Sequence, residues 1–152
     1  MKLGGQPTVT KAGSDGDVTT VAVLVVEDNP DDLKLIRRML RSDHAVDHAV
    51  HFDIKPSSRL SEAIQHMGVS IDIVLLDLGL PDSQGLNTLQ RMREKNPHVP
   101  IVVLSGLEDR QMSVEALRNG AQDYLVKGLV DGRLLTRAIL RHIRRDDGAS
   151  RP

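Results

Sequence analysis

Residues 72–86 read DIVLLDLGLPDSQGL. The apolar run Ile73-Val74-Leu75-Leu76 meets an acid, Asp77, and then a loop carrying Gly79, Pro81 and Gly85. A short apolar run bounded by turn formers fits a strand covered on both faces. A buried strand that ends in a carboxylate places that carboxylate at the rim of a sheet, where open α/β sheets bind ligands. Asp77 is therefore the candidate reactive residue.

The same pattern recurs on both sides. Residues 21–26, VAVLVV, form an apolar strand that runs into Glu27 and Asp28. Asn29 and Pro30 then mark a helix start, because Asn caps and Pro suits the first helical position. Asp31 and Asp32 favour the positive end of that helix dipole. Leu33, Ile36, Met39 and Leu40 recur at helical spacing, which predicts a helix to about residue 41. A short strand is expected over 49–54, closed by Lys55-Pro56, and a second helix over 60–67 with Gly68 at its end. After the opening stretch, Asp82 or Ser83 is expected to cap a third helix that turns Leu86, Leu89 and Met92 inward. Residues 101–104, IVVL, form another covered strand ending at Ser105-Gly106. A fourth helix follows over 109–119 and stops at Gly120. Residues 123–126, DYLV, form a short fifth strand before Lys127-Gly128, and a last helix spans 131–145. Arg141, Arg144 and Arg145 are read as its solvated, basic C-terminal end.

Five strand–helix units in alternation predict a doubly wound, five-stranded parallel α/β sheet with helices on both faces. Residues 1–20, rich in Gly, Thr, Ser and Asp, are expected to be a flexible leader. Residues 21–145 form the domain, and 146–152 a frayed tail. The 152 residues suit one domain, and 39% hydrophobic content suffices for its core.

Composition excludes several classes. A net charge of -1 supplies no field to gather DNA or an anionic membrane. Phe52 and Tyr124 are the sole aromatics, which disfavours base stacking on single strands. Without Cys there is no disulfide, thiolate catalysis or cysteine metal site. No apolar run reaches the roughly 18 residues of a membrane span, and residues 1–20 lack a signal-peptide core. The expected location is the cytoplasm. His44, His48 and His51 stand three or four apart, which would suit a shared metal on a helix face, but their polar segment is not convincingly helical, so no metal site is expected there.

In a parallel sheet all C-terminal strand ends share one edge. Glu27, Asp28, Asp77, Ser105 and Lys127 therefore converge there. Carboxylate oxygens with water suit Mg²⁺. Lys127 would neutralise an incoming phosphoryl group, and Asp77 would be the in-line nucleophile that forms an acyl phosphate.

Taken together, VLVVEDNPDD, DIVLLDLGLPDSQGL, VVLSG and GAQDYLVKG make residues 21–145 resemble a receiver domain of the bacterial two-component response-regulator family. The resemblance implies a flavodoxin-like (βα)5 fold with strand order 2-1-3-4-5. It implies Asp77 as phosphoacceptor for a sensor histidine kinase or phosphotransfer protein. Asp28, Asp77 and the Gly79 carbonyl would ligate Mg²⁺, with Glu27 acting through water. Ser105 and Tyr124 match the family's switch residues, and Lys127 its phosphate-pairing lysine. Gly128 stands where the family usually has a Pro in a cis peptide, which leaves the isomer of Lys127-Gly128 open. Gly79 and Leu107 occupy the positions that tune hydrolysis in similar chains, and neither can orient a water, so slow self-dephosphorylation is expected.

The function implied is a signalling switch that changes its affinity for a protein partner and catalyses only its own phosphorylation and slow dephosphorylation. Only seven residues lie beyond Arg145, so output is expected through protein contact, such as homodimerisation or relay to another His. The chain could equally be excised from a larger hybrid protein. Two rival readings stay open. One is a receiver-like interaction module independent of phosphorylation. The other is a Mg²⁺-dependent phosphatase, which Gly79 disfavours because such enzymes usually carry a second acid there.

Overall fold

The computed structural model describes residues 8–11, 17–41, 50–68 and 70–149. Its strands are β1 (Thr8–Lys11), β2 (Asp17–Val26), β3 (Val50–Ser57), β4 (Ile73–Leu76), β5 (Gly79–Leu80), β6 (Ser83–Gln84), β7 (Ile101–Ser105) and β8 (Asp123–Val126). Its helices are α1 (Pro30–Met39), α2 (Leu60–His66), α3 (Leu86–Lys95), α4 (Arg110–Arg118) and α5 (Gly132–Ala149).

The five long-range parallel strands lie in the order β3-β2-β4-β7-β8. Numbered among themselves, that is the expected 2-1-3-4-5. The apolar runs are continuous because alternate residues of each strand enter different cores. Leu24, Val26, Val74, Leu76, Ile101 and Val103 pack on the face covered by α2, α3 and α4. Val21, Val23, Val25, Ile73, Leu75, Val102 and Leu104 pack on the other, with Ile36 and Met39 of α1 and Leu135, Ile139 and Ile143 of α5. A strand with two dry faces has no position for a polar residue until it leaves the sheet. The first polar side chains therefore appear at its ends.

Several boundaries differ from expectation. Residues 8–11, expected within a flexible leader, form β1, which pairs antiparallel with the first part of β2. β2 thus begins at Asp17 rather than at 21, and its first residues carry β1 where β4 does not reach. β3 runs to Ser57 through Lys55-Pro56, since Pro56 sits on the outer strand of the sheet, where a missing N–H is tolerated. α5 continues to Ala149, past the expected end at 145. Arg141 is therefore not at the helix terminus; its guanidinium donates to Asp123 at 3.0 Å.

The expected cap of α3 is also corrected. Gly85, at φ 66°, is the residue before α3, and its positive φ is one that glycine alone adopts freely. The Ser83 hydroxyl bonds that of Thr88 at 2.7 Å. Asp82 instead reaches across to α2, where its carboxylate accepts from the Leu60 amide at 2.8 Å and the Ser61 amide at 3.1 Å. The residue preceding α2, Arg59, has no capping side chain of its own, so a distant acid supplies the cap.

Candidate functional site

Pairing register delivers the polar residues to one edge. Val26 stands beside Leu76, so Glu27 and Asp77 follow side by side, and the Asp77 amide donates to the Val26 carbonyl at 3.0 Å. The Glu27 amide donates to Ser57 at the end of β3, and the Lys127 amide to Ser105 at the end of β7. Five neighbouring strands thus terminate together.

Lys127 is the centre of the arrangement. Its ammonium donates to Glu27 Oε1 at 2.5 Å, Asp32 Oδ2 at 2.9 Å and Asp77 Oδ2 at 3.0 Å. The lysine side chain is only 9% exposed and the Glu27 side chain 1%. Burial alone would favour neutral forms of both groups. Burial pushes the Glu27 carboxyl well above the usual carboxylate range, and the Asp77 charge adds to the effect. The bond from Lys127 opposes it. At Lys127 burial also disfavours the charge, but the bonds to Glu27, Asp32 and Asp77 outweigh it, and the ammonium is held above its ordinary pKa. The lysine stays charged.

Glu27, Asp28 and Asp77 each offer an oxygen, and these oxygens lie within 4.8 Å of one another. The set contains no nitrogen or sulfur donor, so it fits a hard divalent cation such as Mg²⁺. Asp28 is exposed, and Glu27 is buried behind it. The turn after β4 folds back on the acid, because the Gly79 amide donates to Asp77 Oδ1 at 2.9 Å. The backbone there is open to substitution. A Cβ at Gly79 would meet only Asp77 Oδ1 and Gln84 Oε1, both at 3.8 Å.

Ser105 and Tyr124 are placed beside the cluster, not in it. The Leu107 amide donates to Ser105 Oγ at 3.1 Å, and the Tyr124 hydroxyl donates to the Leu107 carbonyl at 3.1 Å. Among the described residues, neither hydroxyl bonds an acid of the cluster. Both meet at Leu107, a residue 72% exposed. The Lys127-Gly128 peptide is trans. His51 is exposed on β3, and His44 and His48 lie outside the described residues.

Asp32 is the member that sequence reasoning missed, having been assigned to the helix dipole. Asn29 Oδ1 accepts from the amides of Asp31 and Asp32, which locks the first turn of α1. In a capping box, a Glu or Gln three residues after the cap reaches back to the amide of the capping residue. Here Glu27 Oε2 takes that amide at 3.2 Å, so Asp32 is free to face Lys127. The available signal was the position of Asp32 one turn into a helix that starts at the sheet edge.

Residues 23–139 match the family model described as "Response regulator receiver domain". The chain is 39% identical over 106 residues to the transcriptional regulatory protein PhoP of Escherichia coli, covering 69% of this chain and 44% of that protein. The receiver domain of a putative LuxO repressor from Vibrio parahaemolyticus superposes with a TM-score of 0.73 over 86% of this chain and 95% of that one, at 22% identity, a likeness of fold. NtrX from Brucella abortus, at 26% identity, gives a TM-score of 0.71 over 86% of this chain and 30% of that one. The chain spans less than half the length of the curated relatives it matches. No helix among the described residues is long and apolar enough to cross a membrane.

Proposed function

The chain belongs to the response regulator receiver domain family, whose members serve phosphorylation-dependent signalling, and on that premise we propose that Asp77 accepts a phosphoryl group from the phosphohistidine of a sensor kinase or phosphotransfer protein. The observation that carries this reading is the buried ammonium of Lys127 held against Glu27, Asp32 and Asp77 at the strand ends.

An Asp77 carboxylate oxygen attacks phosphorus and forms the acyl-phosphate P–O bond. The P–N bond of the donor breaks, and its imidazole leaves with the electron pair and takes up a proton. Asp77 is held for attack by the Gly79 amide on Oδ1 and by Lys127 on Oδ2. Lys127 then turns one N–H to the transferred phosphoryl oxygens. Asp28, Asp77 and the Gly79 carbonyl, with Glu27 acting through water, would hold Mg²⁺, which supplies neutralisation of the phosphoryl charge when bound. Transfer of this kind depends mainly on positioning and charge, which fits a site with three fixed bonds on one cation.

In the same reading Ser105 and Tyr124 are the switch pair, and their shared attachment to Leu107 is the connection that rearranges. Gly79 and Leu107 bring no side chain that activates water, so the phosphoryl group is long-lived. The protein turns over no external substrate. It acts in the cytoplasm, and its output is altered affinity for a protein partner or a second copy.

The test is labelling by a small phosphodonor in Mg²⁺. Stoichiometric labelling that disappears in Asp77→Asn and in chelator supports the proposal. Absence of labelling in the wild-type chain with Mg²⁺ favours an interaction module independent of phosphorylation.

A further inference from the structure

We propose that Asp32 is a positioning residue for Lys127: it is the lysine's dedicated counter-charge, holding the ammonium beside the Asp77 carboxyl while Glu27 and Asp77 engage a divalent cation or the phosphoryl group. The inference rests on the phosphoacceptor reading of Asp77 and goes beyond it.

Lys127 has three N–H groups and spends one on each of three acids. Two of those acids, Glu27 and Asp77, belong to the group of oxygens that fits a divalent cation. Asp32 does not. It is thus the one partner of Lys127 whose oxygens have no second claim on them. Asp77 is also the acid that is consumed, because its carboxylate loses charge when it becomes an acyl phosphate. A cation that relied on Glu27 and Asp77 alone would have no fixed bond left to aim it once those two acids turn to the divalent cation and the phosphoryl group.

The local backbone serves this role. Asn29 and Pro30 set the first turn of α1, and the Asn29 cap holds the Asp32 amide at 3.1 Å. Glu27 takes the Asn29 amide that a capping-box Glu or Gln would take, which leaves the Asp32 side chain to Lys127. The turn after Lys127 fixes the backbone, through the Lys127 amide on Ser105 and the Leu129 and Val130 amides on Val126, but among the described residues it gives the ammonium no side-chain partner. Gly128 is exposed, and a Cβ there would meet nothing within 4 Å. The ammonium at the end of the lysine side chain is therefore tied from α1, across the sheet edge, by Asp32. Asp32 is partly exposed, with 36% of its side chain reachable by solvent, so it can follow a small shift of the ammonium toward a phosphoryl oxygen.

The test uses the whole chain as wild type, Asp32→Ala, Asp32→Glu, Lys127→Ala and the Asp32→Ala/Lys127→Ala double variant. The phosphodonor is acetyl phosphate, with Mg²⁺ titrated separately. Asp32→Ala is expected to lower the maximal labelling rate by about ten- to a hundredfold, the scale of misplacing a reacting group. The Mg²⁺ concentration for half-saturation should not change, and Asp32→Glu should recover most of the rate. In the Lys127→Ala background, removal of Asp32 should cost nothing further, because the two act as one unit. A second readout needs no chemistry. The ¹⁵N-bound ammonium protons of Lys127 should give a slowly exchanging NMR signal that survives Mg²⁺ addition in the wild type and is lost on Mg²⁺ addition in Asp32→Ala. The proposal is overturned if Asp32→Ala labels as fast as wild type, if it slows Lys127→Ala by the same factor, or if the ammonium signal persists equally in both. Failure of the wild type to label at all would instead remove the phosphoacceptor reading, and the ammonium signal would still decide whether Asp32 holds Lys127.

Discussion

Asp82 stands five residues after Asp77 in sequence, yet its carboxylate closes the start of another helix, accepting from the Leu60 amide at 2.8 Å. The loop that carries the reactive acid is thereby tied to α2. Asp82→Ala should destabilise the domain by about 1 kcal/mol, the usual cost of losing a side-chain cap. Chemical denaturation measures it, and an unchanged midpoint would contradict the capping role.

The same bond carries a pH dependence. The Leu60 amide holds the Asp82 carboxyl below the usual carboxylate range. A depressed folded-state pKa means that the unfolded chain takes up the proton first. The stabilisation is complete above the unfolded value, about 4 for Asp, and is lost as pH falls through the lower folded value. The stability difference between wild type and Asp82→Asn should therefore be steady at neutral pH and shrink on acidification below about pH 4. A difference that grows on acidification would refute this.

Arg93 makes a second cross-connection, at the opposite edge of the sheet. Its guanidinium donates to the carbonyls of Val99 at 2.6 Å and Gly120 at 2.7 Å, joining α3 to the entries of β7 and β8. Arg93→Ala should cost about 2 kcal/mol by leaving partly buried carbonyls unpaired. Arg93→Lys should not rescue it, because a single ammonium lacks the planar fork. Phosphodonor labelling should survive both changes. Full rescue by lysine in denaturant titrations would contradict the clamp.

Gly79 is set in ordinary backbone with room for a side chain, 3.8 Å from Asp77 Oδ1. The isolated phosphoprotein should keep its label for minutes or longer. Gly79→Asn should speed its loss by about tenfold, below the full effect of a positioned catalytic group. A wild-type half-life of seconds, followed by release of inorganic phosphate, would contradict the account.

Lys127→Met should leave Glu27, Asp32 and Asp77 without a shared cation. Its melting temperature should fall in chelator, and added Mg²⁺ should raise it by more than it raises that of the wild type. Equal Mg²⁺ shifts in the two proteins would count against the lysine as the cluster's internal counter-charge.

The parallel strands were legible because runs such as Val23 to Val26 and Ile73 to Leu76 must fill two dry faces and so lack polar residues altogether. Their polar ends then named Glu27, Asp28, Asp77 and Lys127 together. What the sequence concealed were bonds made between distant segments. Asp82 looked like a local cap for α3 because capping rules are local, whereas its partner amides are 22 and 21 positions away. Asp32 looked like a dipole partner because nothing in its neighbourhood foretells a lysine 95 positions on. β1 was hidden by a composition of Thr, Lys and Val too polar to read as core, in a strand that pairs with an extension of β2.

The most direct test of the central claim is to trap the product. After reaction with a small phosphodonor and Mg²⁺, borohydride reduction converts an acyl phosphate of aspartate to homoserine, which peptide mass spectrometry locates. The account predicts homoserine at position 77 alone, absent from the chelator control. Homoserine at Asp28 or Asp32 with residue 77 unmodified, or label held on Ser105, would contradict it.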